Sequence, residues 1–121
     1  KILLLLSLFF CSNLSTAWTS LGTSSDGRNY WYDDKQVIKE NENILLWIKF
    51  NITSKSVYSY KSYKSYLKLN CLDFSFETIS ENFYRDKYWY NQFRTTKTPS
   101  KRSFIEPFSI IEQLAEQICN L

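Results

Sequence analysis

The sequence has 121 residues, of which 44% are hydrophobic and 18% aromatic, with a formal net charge of +3 and no histidine. This length allows one domain with one hydrophobic core. The weak charge argues against a concentrated basic surface, so we expect no nucleic-acid partner. Without histidine, the sequence offers neither a ready general base at neutral pH nor the residue that completes many metal sites, and we expect no catalytic residue, metal or cofactor.

The N-terminal segment has the pattern of an export signal. A lysine precedes an apolar run over residues 2–10, which Ser7 alone interrupts, and the small residues Ser15 and Ala17 fit the pattern of signal-peptide cleavage. We expect residues 1–17 to be removed by a cut between Ala17 and Trp18. The apolar run is shorter than the roughly 20 residues that span a bilayer, so we expect no permanent membrane span.

The cysteines indicate a disulfide. Cys71 and Cys119 remain after the expected cleavage, and an even pair in an exported chain is typical of a bonded pair, because the compartment is oxidising. We predict that they are bonded; two unconnected buried thiols are the alternative. A further alternative for the N-terminus is a lipoprotein signal, in which Cys11 would carry the lipid. Phe10, however, stands where such a signal has a small residue.

Taken in order, the mature chain begins with strands. Alternation of apolar and polar residues predicts a strand over 18–23, and Asp26-Gly27 predicts a hairpin turn before a return strand at 30–32. The clearest strand covers 44–51. Both of its faces begin apolar, which places it centrally in a sheet. One of these faces carries Ile44, Leu46, Ile48 and Phe50.

A stretch rich in tyrosine and lysine, residues 53–66, is predicted as a long polar loop. Its Tyr-Lys-Ser repeat has a period of three, which fits neither one face of a strand nor one face of a helix. Stacking on single-stranded nucleic acid is the less favoured interpretation, because an exported protein rarely meets that ligand. Tyrosine favours protein interfaces, so we expect a protein-contact loop here. Its candidate contact residues are Tyr58, Tyr60, Lys61, Tyr63 and Lys64.

The second half of the chain predicts further strands and a helix. Strands are expected over 67–71, 74–84 and 88–93, the last at a sheet edge, followed by a polar loop over 94–102. Near the C-terminus, Ser109 and Glu112 fit a capping box that begins an amphipathic helix. Its apolar face is formed by Ile110, Ile111, Leu114, Ala115 and Ile118.

Together these elements predict an α+β fold. We expect an antiparallel meander of about five to six strands with the C-terminal helix packed on one face. Because Cys119 borders the apolar face of the helix, the bond to Cys71 would tie the far end of the helix to the sheet. A homodimer through an exposed sheet edge is also expected, since a short open sheet leaves backbone groups unpaired.

Several residues follow one another in an order that a known family shares. They are Trp18, Asp26-Gly27, Tyr32-Asp33, Trp47, Lys64-Ser65, Asn70-Cys71, Phe76, Tyr84, Ile105-x-Pro107-x-Ser109 and Cys119. In this order the chain resembles the surface-adhesin protein E family of Gram-negative bacteria. The resemblance covers essentially the whole mature chain, which we predict as one domain over 18–121. It implies an exported protein that binds host matrix proteins such as vitronectin and laminin.

Two positions depart from the family pattern. Asn70 stands where many relatives carry an acidic residue, and Glu77 stands where they carry a basic one. The resemblance therefore transfers the scaffold and no binding residue. We expect a non-enzymatic exported protein, in the periplasm or on the outer-membrane surface. It is interpreted as a surface adhesin with a protein ligand or, alternatively, as a periplasmic structural or interaction protein.

Overall fold

A computed structural model describes residues 17–53 and 59–120 as an antiparallel sheet with one helix packed on it. The elements are β1 (Trp18–Thr23), β2 (Arg28–Asp33), β3 (Ile38–Glu40), β4 (Asn43–Ile52), β5 (Ser62–Asn70), β6 (Ser75–Tyr84), β7 (Gln92–Thr96), β8 (Ser103–Phe104) and α1 (Ile110–Cys119). The sheet order is β1-β2-β4-β5-β6-β7, while β3 pairs with β4 and β8 pairs with β6. The predicted α+β meander with a C-terminal helix is confirmed.

Strands β4 and β5 lie at the centre of the sheet, and their residues alternate between its two faces. We call the face that contacts the helix the helix side and the opposite face the open side. The helix side of β4 carries the predicted apolar residues, all of them buried, and β5 adds Leu67 and Leu69 to the same core. All of these residues except Phe50 form one cluster with Leu114, Ala115 and Ile118 of α1.

The helix begins at the predicted capping box. The Ser109 hydroxyl accepts a hydrogen bond from the Glu112 amide at 3.1 Å, and the Glu112 carboxylate accepts one from the Phe108 amide at 3.1 Å. The hydrogen bond to the Glu112 carboxylate thus comes from Phe108, the residue before the N-cap Ser109. Further along α1, the Gln113 side chain donates to the Leu21 carbonyl at 2.8 Å. This bond covers part of the outer edge of β1, while β7 lies at the opposite edge.

The predicted bond between Cys71 and Cys119 is present, with the two Cα atoms 5.6 Å apart. Cys71 follows β5 directly, and its amide also donates to the Glu42 carbonyl at 2.9 Å. Cys119 is the last residue of α1. The disulfide therefore fixes the C-terminal end of the helix over the end of β5.

Strand β5 begins at Ser62, inside the stretch that was predicted as a polar loop. The loop prediction was wrong for residues 62–66 because a period-three repeat hides the alternation of a strand. Pairing with both β4 and β6 satisfies the backbone of these residues. The side chains of Ser62 and Ser65 are fully buried, which a solvated loop would not allow.

The strand predicted over 88–93 lies later in the chain, at Gln92–Thr96. The preceding segment is a turn in which the Asp86 carboxylate accepts hydrogen bonds from the amides of Tyr88, Tyr90 and Asn91. An aspartate that bonds to the following amides stabilises a turn at the expense of a strand. Strands β3 and β8 were not predicted because they have only three and two residues.

Two bulges also depart from simple alternation. In β1 the register shifts between Ser20 and Gly22, and the extra residue Leu21 turns into the core, where it is 3% exposed. In β6 the partner of Leu67 is Thr78 and the partner of Tyr66 is Ser80. Ile79 is therefore the extra residue in β6, which explains why the alternation of this strand weakens after Thr78.

Some expectations lie wholly or partly outside the described residues. Of the predicted signal peptide, only Ala17 lies within the described residues. Cys11, the residue of the alternative lipoprotein signal, and Tyr58, a predicted contact residue, lie outside them. Within the described ranges, no helix is long and apolar enough to cross a membrane. The predicted homodimer stays a prediction.

Replacing Cys71 with serine should lower the free energy of unfolding by about 4 kcal/mol, because the bond closes a loop with a sequence separation of 48 residues. Urea unfolding followed by tryptophan fluorescence measures this change. The reduced wild-type protein is the matched control and should lose a similar amount. An unchanged unfolding midpoint in both samples would contradict the expected stabilisation.

Candidate binding surfaces on the two faces of the sheet

The helix leaves part of the helix side uncovered, and an open groove of about 990 Å³ lies there. Arg28 and Glu81 line this groove together with Gln113 of α1. Aromatic rings from four strands and the loop before β5 form its floor. These rings belong to Tyr30, Phe50, Tyr60, Tyr63 and Phe83.

The aromatic rings pack against one another. Tyr63 stacks on Phe50 with 4.7 Å between ring centroids and meets Phe83 edge-on at 5.2 Å. Tyr60 meets Phe83 edge-on at 5.0 Å, and Tyr30 lies 5.2 Å from Phe50. Phe50 and Phe83 are buried, whereas the tyrosines are half-buried. The groove therefore presents tyrosine rings that are already held in place by a phenylalanine layer.

Charged groups border this aromatic floor. The Arg28 guanidinium lies over the Phe50 ring at 4.9 Å and forms an ion pair with Asp26 at 3.2 Å. On the other side of the groove, the Tyr63 hydroxyl donates to the Glu81 carboxylate at 3.0 Å. Burial raises the pKa of the Tyr63 phenol, and the Glu81 charge adds to this effect. The phenol therefore stays a neutral hydrogen-bond donor at physiological pH.

Phe108 lines the groove next to the start of α1, and its side chain is 99% exposed. Its backbone has φ of +62°, in the left-handed region that bulky residues rarely adopt. Such a conformation costs on the order of 1–3 kcal/mol, and residues that adopt it cluster at functional sites. An exposed phenylalanine held in a strained conformation beside an aromatic groove is a candidate contact residue.

The open side of the sheet carries all four tryptophans of the chain. Three of them surround the ammonium of Lys49, which lies 3.9 Å from the ring centroid of Trp89, 4.3 Å from Trp18 and 5.6 Å from Trp31. The fourth, Trp47, packs on Tyr66 with centroids 5.0 Å apart. A cation over several indole rings is stabilised by the ring quadrupoles.

Lys49 is nevertheless poorly solvated. Burial lowers its pKa to about 8, and the neighbouring ammonium of Lys64 adds to the effect, while Asp33 opposes it. Burial also lowers the pKa of Lys64. The two lysines are direct partners in the β4–β5 register, so the sheet places two cations side by side on this face.

Asp33, at the end of β2, is a buried acidic residue on the open side, with 1% exposure. One carboxylate oxygen, Oδ1, accepts from the amides of Ala17 at 3.3 Å and Lys35 at 3.1 Å. Among residues 17–53 and 59–120, no hydrogen-bond partner reaches the other oxygen, Oδ2. Together with Trp18 and Lys64, Asp33 lines a cavity of about 250 Å³.

The structure separates the predicted contact residues instead of joining them. Tyr60 and Tyr63 line the groove on the helix side, and Lys61 is exposed before β5. Lys64 faces the open side, where it lines the small cavity. Whether these residues contact a protein stays a prediction, but they do not form one surface.

Sequence reasoning missed most of the groove and the open side. Trp47 and Lys49 were on one predicted face of a strand, but the rings of Trp18, Trp31 and Trp89 come from two other strands and a turn. Their meeting depends on strand pairing, which no local pattern contains. Phe108 could have been noticed as an apolar residue directly before a helix cap. No cluster of three or more metal-ligating residues occurs in the described part of the chain.

The antiparallel sheet, the disulfide-tied helix and the aromatic groove define a small α+β domain with one disulfide. A family model described as surface-adhesin protein E matches residues 18–120. The chain therefore belongs to the surface-adhesin protein E family, and its class is that of a surface adhesin. No curated protein matches the sequence directly.

Solved structures of Haemophilus influenzae protein E have a similar fold. The selenomethionine form is 15% identical, with a TM-score of 0.61 over 88% of this chain and 95% of that chain. A second structure is 18% identical, with a TM-score of 0.60 over 85% and 93%. Protein E from non-typeable H. influenzae is 12% identical, with a TM-score of 0.56 over 90% and 79%. At these identities the similarity shows the fold alone.

The free energy of unfolding should rise as the pH increases from about 8 towards 10, because the folded-state pKa of Lys49 is about 8 and the usual value is 10.5. Below this range the folded protein carries the full cost of a desolvated charge. Within this pH range Lys49 has lost its proton in the folded protein but keeps it in the unfolded chain. The folded protein then no longer carries the free-energy cost of the desolvated charge. Urea unfolding at several pH values measures the slope.

The matched control for this pH dependence is Lys49→Met, which keeps an unbranched side chain only one atom shorter and removes the charge. Its unfolding free energy should change less over the same pH range, with a residual slope from Lys64. Equal slopes in the wild-type protein and the variant would show that Lys49 is not the titrating group.

Proposed function

We propose that the protein is a surface adhesin that binds a host protein in the aromatic groove on the helix side. The observation that carries this proposal is the combination of exposed Phe108 with the half-buried rings of Tyr30, Tyr60 and Tyr63 along one groove. Tyrosine and other aromatic residues are enriched at protein interfaces and dominate their binding energy. Rings that are already packed lose little conformational freedom on binding.

The groove suits a segment of a protein ligand with apolar side chains. The aromatic rings would pack against the apolar side chains of this segment. Arg28 and Glu81 would supply one positive and one negative group for the polar atoms of the segment. Belonging to a family of surface adhesins supports a binding role without catalysis. Matrix proteins such as vitronectin and laminin are the first ligands to test, as the family resemblance implies.

The proposed role requires the domain to lie outside the outer membrane. Membership of a surface-adhesin family supports this location over the periplasmic alternative. The predicted export signal would bring the chain across the inner membrane, and the exposed groove needs access to host proteins.

Replacing Phe108 with serine should weaken binding to immobilised vitronectin or laminin at least about tenfold, which corresponds to about 1.4 kcal/mol. The change removes an exposed ring at the groove and disturbs no buried contact, so folding should be unaffected. The matched control is Phe104→Ser, because Phe104 is 69% exposed and does not line the groove. Surface plasmon resonance gives both affinities, and equal affinities of the two variants would refute the groove as the binding site.

Trypsin added to intact cells should release peptides cut after Lys97 and Lys101, because both side chains are exposed in the loop between β7 and β8. Mass spectrometry identifies the peptides, and an unrelated periplasmic protein should stay uncut in the same sample. A variant with glutamine at both positions should lose these two cuts. Recovery of the peptides only after the outer membrane is opened would support the periplasmic alternative.

A further inference from the structure

A second cavity lies on the open side, opposite to the groove, and has a volume of about 250 Å³. The indoles of Trp18 and Trp47 and the phenol of Tyr84 supply its aromatic surface. This volume lies below the range of about 300–1,000 Å³ that is usual for drug-sized ligands. The cavity is therefore suited to one small ring and not to a segment of protein.

The polar groups of this cavity constrain the ligand. A buried carboxylate oxygen with no partner is costly, so Oδ2 of Asp33 calls for a group that donates a hydrogen bond. Lys64 lines the same cavity, and its ammonium can only donate. A ligand that satisfies both residues must then donate to Asp33 and accept from Lys64 within this one cavity. The amides of Gln36 and Asn82, which can do either, line the cavity as well.

The charges of Asp33 and Lys64 limit the kind of ligand that this cavity can bind. A cationic ligand that pairs with Asp33 would be repelled by Lys64 and by Lys49 beside it. A simple anion that pairs with Lys64 would meet the carboxylate of Asp33. A hydroxyl group donates one hydrogen bond and accepts others, so a ligand with several hydroxyls satisfies both residues without a net charge.

We propose that this cavity binds one sugar ring of a carbohydrate. The hydroxyls of the ring would donate to Asp33 and accept from Lys64, while its C–H face would pack against Trp18 or Trp47. The site lies on the face opposite to the proposed protein-binding groove and does not depend on it. The protein would then have two separate recognition surfaces, one for protein and one for glycan.

Tryptophan fluorescence of the purified protein tests this site directly, because Trp18 and Trp47 line the cavity. The probes are galactose, mannose, N-acetylglucosamine and glucuronic acid, with glycine as a zwitterion that could also satisfy Asp33 and Lys64. At least one sugar should change the emission in a saturable way, with a dissociation constant in the millimolar range or below. A response to glucuronic acid alone would specify acidic sugars. No response to any sugar, or a response to glycine only, would overturn the proposal.

Two variants assign the binding to the cavity. Asp33→Asn replaces one acceptor oxygen by a donor and should weaken sugar binding by about tenfold or more. Lys64→Met should have a similar effect and is the safer variant, since Lys64 is only half-buried. Lys68→Met is the matched control, because Lys68 lies on the same strand and does not line this cavity. If Lys64→Met binds the sugar as well as Lys68→Met does, the site is elsewhere.

Discussion

The pairing of β4 with β5 is the constraint on which both surfaces depend. Its register places Phe50 opposite Tyr63 on the helix side and Lys49 opposite Lys64 on the open side. Because side chains alternate, a slip of one residue would exchange the two faces of β5. The aromatic floor of the groove and the pair of lysines would both be lost in that case. One run of backbone hydrogen bonds therefore positions two chemically different surfaces.

The length of the helix decides how much of the sheet remains open. The ten residues of α1 extend about 15 Å, whereas the ten residues of β4 extend about 33 Å. The disulfide between Cys71 and Cys119 holds the helix at one end of the sheet. The groove is thus the part of the helix side that a short, tethered helix cannot reach. Aromatic residues cover the sheet there instead of helix residues.

Local patterns were sufficient for most of the fold. The alternation of β4, the capping box of α1 and the pairing of two cysteines each depend on a signal that the sequence carries directly. The binding surfaces depend on contacts between distant residues, so no window of sequence contains them. Strand β5 shows this most clearly, since its first residues have the composition of a loop and become a strand through pairing with two neighbours. Asp33 belongs to the order of residues shared with the family, but its burial is a property of the folded chain that no local pattern indicates.

The tryptophans around Lys49 have a consequence for selectivity. Aromatic cages of this kind in other proteins capture quaternary ammonium groups such as choline or methylated lysine. Here the cage already contains a cation from the same chain, with its ammonium 3.9 Å from one indole ring and 4.3 Å from another. An external ammonium group would have to displace that side chain and overcome the charge of Lys64 beside it. Lys49 therefore occupies the cage itself and disfavours the binding of cationic lipid headgroups and trimethylated peptides on the open side.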